Sequence, residues 1–267
     1  MHEYTGLGEE VERKDTYTLE QRNMFDDALV VISNLIARAT TKWTLEETKL
    51  FLCAVSQIKT RDKNAWVKLK KQDIQEKLGI TPQNGTWMRQ TFKKVVNKSY
   101  IQIDGKTSDE WHDGFLLYEV KSTKKTVSVR FNDTYLPLLD QLTTHFTEFY
   151  IDYIKDFKHL SSYNLYVFLC SWQNPNYMIQ NKKIAKKDLV KIFGLKKNEY
   201  WRNYGTPKAR FHWADFEKRV LNPAIDEINE LQSCDMHIDQ CTKVKKGKVV
   251  LGYDIKYSFV DSQGFRK

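Results

Sequence analysis

Three polar residues, Lys218, Arg219 and Asn222, fall on one side of a helix that the sequence predicts in its last quarter. Arginine can form two hydrogen bonds to guanine and asparagine two to adenine, so this face has the chemistry for reading base edges in DNA. Pro223 lies inside the same helix and predicts a bend near Asn222, because proline removes a helical hydrogen bond. The opposite face is predicted from apolar residues at helical spacing, namely Phe216, Val220, Ala224, Ile225 and Ile228.

Basic side chains are predicted on one further helix and on two hairpin tips. The helix in TWMRQTFKKVVNKS is rich in lysine, which suits positioning on the DNA backbone better than base discrimination. Lysines at hairpin tips suit phosphate contact, where a flexible point charge is sufficient. A solvated turn that protects a sheet edge is the alternative explanation. The helix residues are Arg89, Lys93, Lys94 and Lys98, and the hairpin residues are Lys124, Lys125, Lys243, Lys245, Lys246 and Lys248.

An aromatic stretch precedes the Arg219 helix and carries three more candidate DNA contacts, Arg202, Lys208 and Arg210. Aromatic residues between basic ones are compatible with base stacking, but packing beneath a loop is the favoured interpretation. The aromatic residues are Tyr200, Trp201, Tyr204, Phe211 and Trp213.

Positive charge is confined to two separate blocks. The chain of 267 residues carries a net charge of +9. Residues 61–132 and 161–267 are net +7 and +8, whereas residues 1–60 and 133–160 are each net −3. Such clustering is the electrostatic pattern expected of nucleic-acid binding, and two blocks make a merely solvated basic face a weaker explanation.

An internal repeat predicts the helices and strands that position the candidate DNA-binding residues. KQDIQEKLGI, from Lys71, matches KKDLVKIFGL, from Lys186, without gaps. Each predicts a short helix with an aspartate in its first turn and a glycine at its end. An amphipathic helix precedes each repeat, at 44–58 and 161–172, and a longer helix follows each, from FKKVV and from FEKRV. Strands are then predicted at 100–103, 115–121, 126–131, 236–240 and 249–259.

This order predicts two winged helices in tandem, an α+β and mainly helical chain whose long helices enter the major groove of DNA. The predicted domains are a polar extension at 1–30, a first winged helix at 31–145 and a second at 146–267. The strand 126–131 and the following Leu136, Leu138 and Leu139 are more apolar than a small domain edge needs. They are therefore the predicted surface for dimer formation.

No feature of the sequence predicts a membrane span, a signal peptide, a cofactor or a metal. Cys53 and Cys170 lie in apolar runs typical of reduced core residues, so a cytoplasmic location is expected. Cys234, His237 and Cys241 lie in a strand pattern without a fourth ligand at zinc-site spacing.

Catalytic residues are likewise not predicted, and the chain is expected not to be an enzyme. The histidines are isolated, whereas a rolling-circle nickase needs a metal-binding pair. Gly105-Lys106-Thr107 ends like a phosphate loop, but Tyr100 stands where that loop requires a glycine. Two alternatives stay open: a winged-helix transcription repressor without a replication role and, less favoured, a nicking nuclease or primase.

With these segments placed, the chain resembles the initiator replication proteins of iteron-containing, theta-replicating plasmids from about Asn34 to Phe259. The resemblance lies in NLIARATTKWTLEETKLFLCAVSQI, VSVRFNDTYLPLL, FKHLSSYNLYVFL and, most specifically, DFEKRVLNPAIDEIN. Glu217 departs from the more basic composition common at that place in the last motif.

The resemblance implies a pseudo-twofold arrangement of the two winged helices and a set of partners. Monomers would bind direct repeats at the origin, help to open it, and recruit the host initiator and helicase. Dimers formed mainly through the first domain, in equilibrium with monomers, would bind an inverted repeat and repress the protein's own gene. The specific DNA contacts would fall on Lys218 and Arg219 in the second domain and on Arg89, Lys93 and Lys94 in the first.

Overall fold

The chain divides into two units after Lys155. The computed structural model describes residues 28–39, 41–58, 66–80, 86–104, 111–139, 142, 145–196 and 198–260. Each unit combines helices with a three-stranded antiparallel sheet. The predicted α+β fold class is confirmed, and the strands are more extensive than the sequence suggested.

The first unit contains the predicted helices and hairpin together with several strands that pattern reading missed. Its elements are β1 (Leu29–Ser33), α1 (Asn34–Ala37), α2 (Leu45–Val55), β2 (Trp66–Lys70), α3 (Lys71–Leu78), α4 (Trp87–Asn97), β3 (Tyr100–Asp104), β4 (Trp111–Phe115), β5 (Leu117–Ser122), β6 (Thr126–Phe131), a 3-10 turn (Leu136–Leu138), β7 (Phe146–Tyr150) and α5 (Ile151–Ile154). The main sheet has the order β2-β6-β5, and β1 pairs with β7 and β3 with β4. The segment predicted as one strand at 115–121 is two strands, divided at the buried Leu116.

Local sequence explains where the helices of this unit begin and end. Thr44 starts α2 through a capping box, in which its hydroxyl accepts the Glu47 N–H and the Glu47 carboxylate accepts the Thr44 N–H. Gly79 ends α3 with a φ of +60°, the left-handed conformation that glycine adopts without a Cβ clash. Apolar side chains of α2 and α4 then meet in the core, where Leu50 and Phe92 are fully buried.

Two predictions about this unit are wrong. The boundary at 145/146 is too early, because Phe146–Tyr150 pairs with Leu29–Ser33 and so belongs to the first unit. The predicted dimer surface is not a surface: β6 is the central strand of its sheet, and Val127, Val129 and Leu138 are buried in the unit's own core. Of the polar extension predicted at 1–30, residues 1–27 lie outside the described residues. Its last two residues, Leu29 and Val30, belong to β1.

The second unit repeats the plan of helix, strand, short helix, long helix and hairpin. Its elements are α6 (Leu160–Cys170), β8 (Ile179–Ala185), α7 (Lys186–Ile192), β9 (Trp201–Arg202), β10 (Arg210–Phe211), α8 (Trp213–Phe216), a π-helical turn (Glu217–Leu221), α9 (Asn222–Glu230), β11 (Met236–Lys246) and β12 (Val249–Phe259). The sheet has the order β11-β12-β8. Asp188 lies in the first turn of α7 and Gly194 follows the helix with a φ of +60°, so the repeat of Asp73 and Gly79 is confirmed.

Three of the four cysteines are core residues. Cys53, Cys170 and Cys234 are buried, and burial raises the pKa of both Cys53 and Cys234 to about 12, so these thiols stay protonated at neutral pH. Cys234 is buried whereas His237 is exposed. Within the described ranges, no three histidine, cysteine or acidic residues cluster as metal ligands, and no helix has the length and apolarity to cross a bilayer.

Candidate nucleic-acid interface

The long helix of the second unit runs without a break from α8 through the π-helical turn into α9. Within the π-helical turn, the Asn222 N–H donates to the Glu217 carbonyl, five residues back instead of four. Pro223 follows directly, and a proline has no N–H and clashes with the carbonyl four residues before it. The wider π turn accommodates the proline at the position where the sequence predicts a bend.

The buried face of this helix is close to the predicted one. Phe216, Val220, Ala224 and Ile228 are buried as expected. Leu221 is also buried, whereas Ile225 is partly exposed. A π turn holds more residues than an α turn, so the core-facing stripe shifts by part of a turn, which a fixed spacing of 3.6 does not reproduce.

Lys218, Arg219 and Asn222 are all exposed on the other side of the helix. Within the described part of the chain, neither Arg219 nor Asn222 has a side-chain hydrogen bond or an ion pair. The guanidinium and the amide therefore have their donors free for base edges. The structure brings together on one exposed face the residues that the sequence predicted as base-reading.

Glu217 links this helix to the hairpin that follows it. Its carboxylate accepts hydrogen bonds from the Tyr253 hydroxyl on β12, at 2.6 Å, and from Lys243 Nζ on β11, at 2.8 Å. Burial and the bond to Glu217 raise the pKa of Tyr253 well above its usual value. The acidic residue at position 217, where the family motif is more basic, therefore has a structural role. The charge of Lys243, a predicted DNA contact, is already paired with Glu217.

We expect Glu217→Ala to lower the free energy of unfolding by about 1–3 kcal/mol, because the hydroxyl of the buried Tyr253 loses its acceptor. The same change frees Lys243 and removes a negative charge next to the exposed Lys218 and Arg219, so affinity for random DNA should rise. Chemical denaturation and binding to a scrambled duplex measure the two effects. Asp226→Ala removes an exposed carboxylate from the same helix and should leave stability unchanged; equal losses in both variants would contradict the linking role of Glu217.

The second hairpin extends beyond its sheet as a two-stranded ribbon. β8 pairs with β12 only from Gly252 to Ser258, whereas β11 and β12 continue to pair as far as Lys246 and Val249. Gly247 makes the turn with a φ of +60°. Lys245, Lys246 and Lys248 are exposed on this ribbon and suit phosphate contact.

In the first unit, α4 presents the corresponding basic face. Arg89, Lys93 and Lys94 are exposed, while Met88, Phe92 and Val95 are buried against the core. Gln90 is exposed beside Arg89, and its amide has base-reading chemistry that the sequence analysis missed. Its spacing of four residues from Lys94 on the predicted helix was the signal that could have identified it.

Lys98 differs from the other candidates of the first unit. Its Nζ lies 2.8 Å from a carboxylate oxygen of Glu47, whose side chain is only 3% exposed. This Glu47 also caps α2, so Lys98 compensates a buried charge and ties α4 to α2. Lys98 therefore has a structural role in the first unit, and its charge is already paired.

The first hairpin is shorter than the second. Only Thr123, Lys124 and Lys125 separate β5 from β6, and both lysines are exposed. Lys71 Nζ donates to the Thr123 carbonyl at 2.7 Å, which holds the turn close to α3. The first hairpin therefore offers a compact basic turn, whereas the second offers a projecting ribbon.

Comparison with known proteins agrees with this arrangement. The family model described as "Initiator Replication protein, WH1" matches residues 29–170, and the one described as "Initiator Rep protein, WH2" matches residues 185–257. No curated protein sequence matches the chain.

Two solved structures are similar to the chain to different degrees. In the crystal structure of Pi initiator protein in complex with iteron DNA, the similarity covers 88% of this chain and 98% of that chain, with 14% identity and a TM-score of 0.66. A structure of domain 2 and domain 3 of RctB covers 83% of this chain and 85% of that chain, with 11% identity and a TM-score of 0.46. The two family matches together span most of the chain. The chain belongs to the initiator replication protein family and is a plasmid replication initiator with two DNA-binding winged-helix domains.

Proposed function

We propose that this initiator binds direct repeats, iterons, at a plasmid origin as a monomer. The observation that carries the proposal is the pair of exposed basic helix faces, one in each winged-helix unit of a single chain. One chain thus carries two groove-binding elements without needing a second copy. The Pi initiator, which shares the fold, was crystallised with iteron DNA, and this supports the same class of target for this chain.

The binding step leads to the rest of the proposed function. Bound monomers help to open the origin and recruit the host initiator and helicase, and a dimer represses the initiator's own gene by binding an inverted repeat. The dimer contact uses other residues than Val127, Val129 and Leu138, which are buried. The initiator acts in the cytoplasm and contributes binding energy rather than catalysis.

We expect monomer and dimer to occupy different DNA targets. Direct repeats should carry one chain per repeat, because each chain supplies two recognition helices, whereas an inverted repeat should carry two chains related by a twofold axis. Sedimentation of the full chain on each duplex measures the stoichiometry. The same oligomer on both duplexes would refute this part of the proposal.

A nuclease assay separates this function from the enzymatic alternative. Purified protein is incubated with supercoiled origin DNA and magnesium or manganese, and the DNA is examined for nicks. We expect binding and local melting without strand cleavage. Cleavage that depends on the metal would replace the proposal with a nickase.

A further inference from the structure

A small β-hairpin occupies the place of the tight turn in the second helix-turn-helix. It lies between α7 and α8 and consists of β9 and β10, joined by a loop that contains Lys208. Helix-turn-helix motifs usually connect these helices with about three to four residues. The hairpin is therefore an insertion next to the helix that carries Arg219.

The two faces of the hairpin differ in character. Trp201 lies directly opposite Phe211, and their ring centroids are 5.7 Å apart. Phe211 is 7% exposed and contacts the ring of Phe216 on α8 at 5.5 Å. The predicted packing beneath the hairpin therefore holds for Phe211, whereas Tyr204 is 50% exposed. The contact of Phe211 with Phe216 attaches the hairpin to the start of the long helix.

Arg202 and Arg210 form the other cross-strand pair, and both are exposed. Directly opposed residues of an antiparallel pair project from the same side of the strands, with Cβ atoms about 5 Å apart. Arginine stays charged at any ordinary pH, so two positive charges face each other at close range. Like charges in this position destabilise a hairpin.

Nearby carboxylates do not compensate the pair. Within the described residues, neither Arg202 nor Arg210 has an ion pair, the Glu199 carboxylate accepts the Lys196 N–H, and the Asp215 carboxylate lies 2.7 Å from Nδ1 of His212. A phosphate between the guanidinium groups would replace their repulsion with charge-assisted hydrogen bonds to its oxygens. The geometry of the pair therefore suits an anion with several acceptor oxygens.

The hairpin has two uncommon backbone conformations and is attached to the long helix. Tyr200 and Asn203 have φ values of 59° and 52°, in the left-handed region that residues other than glycine rarely adopt. The Tyr200 carbonyl accepts the His212 N–H at 2.6 Å, and the Tyr200 ring contacts that of Phe216 at 5.9 Å. The arginine pair is thus held in a preorganised position relative to the long helix.

We propose that Arg202 and Arg210 together hold a single phosphate of the DNA backbone beside the bases that Arg219 contacts. This inference rests on the proposed function and assigns the inserted hairpin a partner within it. Because the hairpin is packed on the start of the long helix, the bound phosphate sets the register of that helix on the DNA. Lys208, exposed on the connecting loop, adds positive charge beside the pair.

The test uses the full chain with Arg202→Gln, Arg210→Gln and the double variant, on repeat and scrambled duplexes over a salt series. If the two arginines share one phosphate, the slope of log affinity against log salt becomes shallower by roughly 0.9 in the double variant. This change in slope should be no larger than the change in either single variant. Affinity should fall by about tenfold on both duplexes, since phosphate contacts carry no sequence information. Without DNA, the Gln variants should have the same melting temperature as the wild type or a higher one, because the repulsion between the two arginines is removed.

The paired variant Arg202→Lys with Arg210→Lys is the matched control. It keeps both charges and should keep the salt slope, while losing affinity with the planar donors. A slope change of roughly 1.8 in the double Gln variant would mean two separate phosphates and would overturn the shared site. If the double Gln variant kept the wild-type slope while Lys246→Ala still made the slope shallower, the hairpin site alone would be refuted. If the wild type showed no preference for the repeat over the scrambled duplex, the proposed function would be refuted.

Discussion

Arg219→Ala is expected to lower affinity for the cognate repeat by about 1–3 kcal/mol, roughly 5-fold to 150-fold, and to leave binding to random DNA nearly unchanged. The guanidinium is exposed, has no ion pair among the described residues, and shares its face with Asn222. The substitution would remove the proposed bidentate base contact but no part of the helix core. Equilibrium binding to cognate and scrambled duplexes at several salt concentrations measures the effect.

Lys246→Ala is the matched comparison, since Lys246 lies on the projecting ribbon and offers a single flexible charge. It should weaken both duplexes alike and make the slope of log affinity against log salt shallower by roughly 0.9 for one lost phosphate contact. If Arg219→Ala weakened the two duplexes equally, the helix face would be misassigned and base reading would belong to other residues.

Gly252→Ala is expected to destabilise the second unit by about 3–5 kcal/mol or more, within the range of the largest single-substitution effects. A Cβ at Gly252 would lie 2.0 Å from the Ile184 carbonyl oxygen and 3.0 Å from the Ala185 Cα. Both contacts are with the backbone of β8, so no side chain can rotate to relieve them. The pairing between β8 and β12 should be disrupted, so the sheet would no longer support the ribbon. DNA binding should then be lost. Thermal unfolding followed by circular dichroism, with limited proteolysis, measures this result.

Gly247→Ala is the control for this substitution. Gly247 forms the turn of the same hairpin with a φ of +60°, and nothing lies within 4 Å of the Cβ that alanine would add. Only the left-handed conformation is penalised, at about 1–2 kcal/mol, so the fold should persist. A loss in Gly252→Ala no greater than that in Gly247→Ala would contradict the close approach of β12 to β8.

Elements with a local signal were predictable from the sequence. The short helices with Asp73 and Asp188 in their first turns and Gly79 and Gly194 after their ends were predicted from one ten-residue repeat. The strands Thr126–Phe131 and Val249–Phe259 were predicted with their observed bounds because their side chains alternate. The strands β2 and β8, directly before the short helices, were not predicted. Their alternation of apolar and polar residues is short and rich in lysine, so the sequence resembles a loop.

The predicted exposed faces were likewise largely correct, because exposure on an amphipathic helix follows from spacing. Arg219 and Asn222 are exposed as predicted. The ion pair of Lys98 with Glu47 was not predictable, because the two residues are 51 positions apart along the chain. The dimer surface was wrong because an apolar strand is buried equally well at a sheet centre or at an interface, and only the strand order distinguishes the two.

The sequence by itself determined the duplicated winged-helix plan, the positions of the two basic helices and the resemblance to replication initiators, since each depends on residues within a few turns or strands of one another. Tertiary structure alone decided that Glu217 binds Tyr253 and Lys243, that Gly252 lies against the Ile184 carbonyl, and that Arg202 faces Arg210. These contacts join segments that are distant along the chain or depend on strand register. Packing sets their distances, and composition and periodicity carry no record of them.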